Sequence, residues 1–328
     1  MAVRDDGLRA AGPARSAARL TAAAIVPIGG CAAIGAAAAG GGGAIVGTVL
    51  AGVLVAVGYA YGDRLALAAM AARPVSEVEH PELYRLVREL SKAGRLPVPR
   101  LYLSPAGQPN SFAVGRGPRT ATVCCTQGLL SVLDEAELRG VLGHELAHVS
   151  GRDILAATAS AGLATVITFP AGIARLLPGR AGAGMPAASA PGPRAPGSPA
   201  PRSPAASGPE TSGPGASSLG LLEASLMLVL GPIAALVIRL AVTRAREYRA
   251  DAAGGLLSGD PVALASALRK VEAGAADLAL APDGRLTSVG HLMMACPFRP
   301  EGFARLFLTQ PPAGERVRRL EALAGYRR

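Results

Sequence analysis

Four apolar runs limit what this chain can become more than any other feature. Positions 20–39, 44–61, 154–173 and 219–242 consist mainly of Ala, Val, Leu, Ile and Gly. About twenty such residues in a helix cross the hydrocarbon core of a bilayer. The residues are 50% hydrophobic and only 3% aromatic, too apolar a balance for an ordinary soluble chain. The runs predict a mainly α integral membrane protein with four transmembrane helices. The first two, separated by the uncharged stretch Gly40 to Gly43, read as a tight hairpin over 20–63. Gly43 and Gly47 form one G-x-x-x-G, where two helices can approach closely. Arg4, Arg9, Arg15 and Arg19 precede the hairpin and Arg64 and Arg73 follow it. An excess of arginine marks cytoplasmic flanks, so the 1–19 tail and the segment after residue 63 are both expected in the cytoplasm.

Ile28-Gly29-Gly30-Cys31 faintly matches a lipoprotein cleavage site. A cysteine inside an apolar helix is the favoured reading, and cleavage would not move the later segments to the other side. Residues 179–218, rich in Pro, Ala, Ser and Gly, cannot bury enough apolar surface to fold and read as a disordered linker. The two apolar runs on either side of that linker carry the chain across and back.

The formal charge is +10, almost all from arginine, since Lys92 and Lys270 are the only lysines. No basic cluster interleaves with aromatics, so a nucleic-acid partner is not expected. The lipid bilayer is the partner the composition calls for. The four cysteines are scattered, form no C-x-x-C, and fit a reducing compartment. Cys124 and Cys125 are adjacent in a predicted strand, which would turn them to opposite faces.

Residues 64–153 read as a mixed α and β unit. Pro81 opens a helix with Leu83, Leu86, Val87 and Leu90 at helical spacing. Strands are predicted at 101–103, 111–114 and 120–125, the last two joined by Gly115-Arg116-Gly117-Pro118 as a hairpin. An edge of such a sheet can take up an extended peptide by strand addition, or the hairpin can be purely structural.

The chemistry is concentrated in the stretch VLGHELAHVSGRD, positions 141–153. Asp134 followed by Glu137 predicts a capping box. Leu138, Val141, Leu142 and Leu146 continue a helix, and Gly151 falls where it would stop. His144 and His148 are then one turn apart on one face and can point at one metal ion. Glu145, beside that face, can take a proton from a water activated there. A surface helix carrying two histidines by chance is the alternative.

A third ligand is expected after the fourth apolar run. TRAREYRADA, 243–252, reads as a continuation of the same helix, with Glu247 and Asp251 sharing a face at i, i+4. Spacing alone leaves Glu247 open between a ligand and an exposed carboxylate paired with Arg244 and Arg246. Glu223 and Asp153 are weaker rivals.

The chain resembles the HtpX-type membrane metalloproteases, relatives of the CAAX prenyl proteases. The matching stretches are PNSFAVGR (109–116), TQGLLSVLDEAELRGVLGHELAHVSGRDIL (126–155), TRAREYRADA (243–252), DPVALASALRKVE (260–272) and HLMMACPF (291–298), in family order. The resemblance covers about 60–178 and 219–325. It implies a small α+β zincin-like catalytic domain split between 64–153 and 243–328, with segments 154–178 and 219–242 in the membrane between them. It implies one zinc ion per chain held by His144, His148 and Glu247, with Glu145 as general base and Asp251 orienting a ligand. It also implies that Asn110, Ser111 and Phe112 hold the substrate strand. One departure stands out: Gln310-Pro311-Pro312 occupies the place of the family's His-Pro-Pro. Gln310 or His291 is then the candidate for stabilising the oxyanion. The expected function is a multi-pass zinc endopeptidase of the bacterial cell membrane, with its catalytic domain facing the cytoplasm. It would cleave misfolded or damaged membrane proteins under stress. A processing protease with a defined peptide substrate and a non-catalytic zinc-binding scaffold are the alternatives.

Overall fold

The computed structural model describes residues 13–151, 153–174, 230–240, 242–281, 284–299 and 309–325. Helix α1 (Pro13–Ala69) opens the described chain, with a break at Ala39 (φ −146°, ψ 25°) and Gly40 (φ 61°, ψ −146°). The positive φ at Gly40 suits a residue without Cβ. The two arms of α1 then lie side by side: a Cβ on Gly43 would sit 2.0 Å from Gly35 O, and one on Gly47 would sit 2.2 Å from Cys31 O. The expected hairpin and the close approach at Gly43 and Gly47 are thus both present. The first arm starts at Pro13, so the later part of the expected 1–19 tail is helical; proline suits a first helical turn.

Among the described residues one helix, Ala24–Ala69, is long and apolar enough to cross a membrane. The described apolar stretches of α5 (Ile154–Ala174) and α6 (Leu230–Leu240) are shorter. The fold therefore supplies one clear spanning element where the sequence predicts four. The 179–218 linker and the first part of the fourth run, 219–229, lie outside the described residues. α5 packs against the second arm of α1 where Gly58 and Gly62 meet Gly162, close enough that a Cβ on Gly162 would sit 2.1 Å from Gly58 O.

The remaining elements form a small sheet covered by helices. Strands β1 (Arg73–Pro74), β2 (Arg100–Ser104), β3 (Ser111–Val114) and β4 (Thr122–Thr126) lie in the order β1-β2-β4-β3. β3 pairs antiparallel with β4, as a hairpin should, while β2 and β4 run parallel. The last strand starts later than its pattern predicts, because Pro118–Thr120 forms a 3-10 turn. Proline has no amide hydrogen to give a ladder, so the strand begins after it. Cys124 and Cys125 do face opposite ways, into two separate cores. Burial pushes the Cys125 thiol up to about 12 and raises that of Cys124 as well.

Helix α2 (Pro81–Ala93) buries Leu83, Leu86, Val87 and Leu90, the four residues its periodicity singles out. After the short α3 (Gln127–Val132) comes α4 (Glu135–Ser150), which runs through the centre of the domain. α7 (Arg244–Ser258), α8 (Pro261–Asp277), α9 (Gly284–Val289) and α10 (Ala313–Leu323) complete the described chain. Val141, Leu142, Leu146 and Val149 of α4 pack with Leu86 and Leu90 of α2, Leu264 and Leu268 of α8 and Leu320 of α10. Each such side chain contributes about 1.5–3 kcal/mol on burial, so α4 is fixed by its surroundings rather than by intrinsic propensity. α4 carries the predicted capping box between Asp134 and Glu137. Glu137 also meets Ser266 and Lys270 of α8, each at 2.7 Å.

Candidate metal centre

His144 and His148 sit in the buried middle of α4, with exposures of 1% and 8%. The i, i+4 spacing brings their Nε2 atoms to 3.2 Å of each other. Glu247 comes from α7, which crosses α4 closely because both helices carry glycine at the crossing. A Cβ on Gly254 would sit 2.5 Å from His144 N, and one on Gly143 would sit 2.8 Å from Gly254 O. Glu247, Asp251 and Gly254 share one face of α7 by helical spacing, and that face meets α4.

α7 does not continue the fourth apolar run. Thr243 before it is extended (φ −127°, ψ 147°), which breaks the helix and re-aims it. An unbroken helix would have carried Glu247 onward along the axis of α6. Glu247 Oε2 instead lies 3.6 Å from the Nε2 of both histidines. Its other oxygen, Oε1, accepts from Arg246 Nε and Nη2 at 3.3 and 3.2 Å. The two alternatives are compatible in this geometry: one oxygen faces the histidines and the other faces Arg246. Burial works to raise the Glu247 carboxyl, but His148, Arg246 and His144 hold it well below the usual carboxylate range.

The donor set can be tested against a metal ion. Ligand bonds of about 2.1 Å in tetrahedral geometry place ligand atoms about 3.4 Å apart. The three separations here are 3.2, 3.6 and 3.6 Å. Two imidazole nitrogens and a carboxylate oxygen, all buried, converge on a single point. The residues fit a zinc-type ion.

Behind the ligands lies a second layer of contacts. Asp251 Oδ1 is 3.0 Å from His144 Nδ1. Arg316 of α10 grips Asp251 with Nε on Oδ2 at 2.8 Å and Nη2 on Oδ1 at 2.7 Å, and its Nη1 donates to Met294 O at 3.0 Å. Burial tends to raise the Asp251 carboxyl, yet Arg316 and His144 hold it below its ordinary value. Glu145 accepts the Ser111 hydroxyl at 2.6 Å, so β3 lies directly beside the centre. Asn110 accepts the Ala295 amide and donates to Ala295 O, which ties the start of β3 to the 293–296 segment. Phe112 is 2% exposed and packs with Val114 and Cys124. Gln310 Nε2 donates to Gly290 O and Met293 O. His291 Nε2 meets Ser160 Oγ at 3.1 Å and Ala157 O at 3.3 Å. Arg246 Nη1 is a buried donor with no partner among the described residues.

Sequence reasoning singled out the ligands, Glu145 and Asp251, but missed Arg316, Arg246 as a buried group, and the bond from Ser111 to Glu145. Arg316 had no local signal, since its partner is far away in the chain. Arg246 does have one: it is adjacent to Glu247, and the pairing with that carboxylate left open by spacing is present, but buried rather than exposed.

Two imidazoles and a carboxylate around one point, with a second carboxylate beside them, make this a metalloprotease centre. Comparison with known proteins agrees: the model for peptidase family M48 matches residues 77–324. The chain belongs to that family. It is 50% identical over 264 residues to a protease HtpX homolog of Kineococcus radiotolerans, covering 80% of each chain. It is 44% identical over 270 residues to one of Paenarthrobacter aurescens, covering 82% of each. One of Bifidobacterium longum is 43% identical over 266 residues, 81% of this chain and 78% of that one. No solved structure matches the chain.

Proposed function

We propose that the protein is a multi-pass zinc endopeptidase of the cell membrane, with one zinc ion per chain and its catalytic domain on the cytoplasmic side. The observation that carries this is the convergence of His144, His148 and Glu247 on one point with Glu145 alongside. Zinc held there would supply Lewis-acid chemistry, acidifying a water and polarising a carbonyl. Glu145, positioned by the Ser111 hydroxyl, would take the proton of an attacking water and give it to the leaving amine. Asp251 and Arg316 hold the imidazole of His144 in place.

β3 is an edge strand, and alternation along it turns the amides of Ser111 and Ala113 away from β4. The Ser111 carbonyl already accepts from Met294 N at 3.0 Å. A substrate backbone would therefore add along the remainder of the strand, past Ala113. Asn110 and Phe112 shape this edge from behind: one ties it to Ala295, the other packs it into the core. Of the candidate groups for the oxyanion, Gln310 commits its Nε2 to Gly290 O and Met293 O, and His291 Nε2 is engaged by Ser160 and Ala157. Arg246 Nη1 is the one with no protein partner among the described residues, and we favour it.

The substrates in this reading are misfolded or damaged membrane proteins, and the role is quality control under stress. The resemblance to HtpX-type proteases and the apolar helix α1 support it. The remaining crossings are assigned to 154–178 and 219–242, joined by the 179–218 linker.

The test is proteolysis of an unfolded protein by zinc-loaded chain in detergent, wild type against Glu145→Gln, with bound zinc measured in both. Both should hold one zinc, and the variant should be slower by about 10²–10⁴-fold. Equal rates, or a wild type that binds no zinc, would refute the assignment. A strict cleavage consensus would favour a processing protease, and zinc binding without cleavage a scaffold.

A further inference from the structure

Where α1 leaves its apolar stretch, a cavity of about 720 Å³ opens between the end of the helix and the sheet. Arg64, Arg100, Arg116 and Arg119 line it, with Tyr61 and Asp63. These residues come from α1, the start of β2 and the β3–β4 connection, so the fold rather than a local sequence run brings the arginines together. Four guanidiniums face one carboxylate. Among the described residues the cavity's one ion pair is a loose one, Arg100 Nη2 to Asp63 Oδ2 at 3.9 Å. Asp63 Oδ1 meanwhile caps the Arg64 amide at 2.9 Å. Among the described residues no carboxylate lies within ion-pair distance of Arg64, Arg116 or Arg119. Guanidiniums gathered without counter-ions repel one another, and their planar fork of donors matches the oxygens of a phosphate.

The cavity is also held at a definite level. Gly115 N donates to Thr158 Oγ1 of α5 at 2.9 Å, which pins the β3–β4 connection to that helix. α5 in turn packs on the second arm of α1 through Gly58, Gly62 and Gly162. Tyr61, 48% exposed, has the Arg64 guanidinium over its ring at 5.6 Å. An amphipathic ring followed by arginine is what the interfacial edge of a membrane helix presents. The arginines therefore stand where the apolar helices end.

We propose that this cavity binds the phosphate of an anionic phospholipid and so fixes the protease domain against the bilayer surface. The proposal rests on the membrane reading given above. A soluble phosphate ester offers the same oxygens, but a lipid delivers them tethered beside α1, at high effective concentration. Basic pockets at the cytoplasmic ends of membrane helices suit such headgroups. The lipid would bear on catalysis through β3, because the strand that starts at Ser111, against Glu145, ends in the connection that carries Arg116 and Arg119.

The experiment is native mass spectrometry of the full chain in detergent with phosphatidylglycerol and phosphatidylcholine in equal amounts. Wild type is compared with the triple variant Arg64→Gln, Arg116→Gln, Arg119→Gln, whose folding is checked by its zinc content. Wild type should prefer the anionic lipid and the variant should approach parity. At about fivefold per arginine, the preference lost should be on the order of a hundredfold. Equal retention of the two lipids by wild type, or an unchanged preference in the variant, overturns the proposal. Displacement of the anionic lipid by millimolar glycerol phosphate would assign the cavity to a soluble ester and overturn the lipid source. Flotation with phosphatidylcholine vesicles keeps the two readings apart. A chain that fails to float refutes the membrane assignment itself, whereas a chain that floats but shows no anionic preference refutes this site alone.

Discussion

Replacing Arg316 with methionine should loosen the metal centre from behind without touching a ligand. Arg316 is 2% exposed and gives Asp251 two hydrogen bonds, at 2.8 and 2.7 Å, and Met294 O a third at 3.0 Å. Arg316→Met keeps much of the apolar stem and removes every donor. Asp251, itself 2% exposed, is left as a buried carboxylate with His144 as its remaining partner. Breaking a buried pair in this way costs about 3–5 kcal/mol, and the stranded carbonyl adds about 1 kcal/mol. At about 2–4 °C per kcal/mol for a domain of this size, the melting midpoint should fall by roughly 8–24 °C. Zinc affinity should fall about 10–100-fold, because His144 loses the fixed partner behind its ring. Thermal unfolding in detergent and competition with a chromophoric chelator measure the two effects. Adding Asp251→Asn to Arg316→Met removes the uncompensated charge, so the double variant should be more stable than the single one. The reasoning fails if Arg316→Met melts within a few degrees of wild type, or if the double variant is no more stable than the single.

Gly254→Ala should push α7 away from α4, since the new Cβ would meet His144 N at 2.5 Å and Cα at 2.6 Å. The strain should cost about 1–3 kcal/mol and weaken zinc binding, because Glu247 rides on the same helix face; unchanged chelator competition would count against this. The His291 imidazole should stay neutral at every working pH, because burial, with Arg246 nearby, lowers its pKa to about 3. Neutral imidazole is the form that folding favours here, so this group lends stability above about pH 6.5, its unfolded value, and that contribution is lost as the pH falls toward 3. A histidine resonance assigned to position 291 that titrates near pH 6 would contradict it.

The parts of this protein that can be read from sequence are those whose cause is local. The capping box at Asp134 and Glu137, the buried stripe of α2 and the i, i+4 histidines all depend on neighbours within one or two turns. The hairpin in α1 follows from a glycine run that breaks a helix and lets two arms touch. What escaped depends on distant partners. Glu137 looked like a cap alone, but it also holds Lys270 of α8. Gly151 does end α4, yet in the right-handed region, at φ −70°. It therefore acts as a corner into α5, which begins at Ile154, rather than as a left-handed stop. The parallel pairing of β2 with β4 skips over β3, and no pattern within a strand announces its neighbour. The helix break at Thr243 was hidden for a similar reason: the residues around it are as compatible with a helix as with a turn, and the packing of α7 on α4 decides between them.

The crossing of α4 and α7 also sets an order in time. His148 and Glu247 meet in space but leave the ribosome far apart, with α5, α6 and the stretch between them made in the interval. At about 5–20 residues per second the carboxylate follows the second histidine by roughly 5–20 s. Throughout that interval the nascent chain offers two nitrogens and no third ligand. The chain thus becomes able to cut only after α5 and α6 have been made, and an unfinished copy cannot cleave the chains being synthesised beside it.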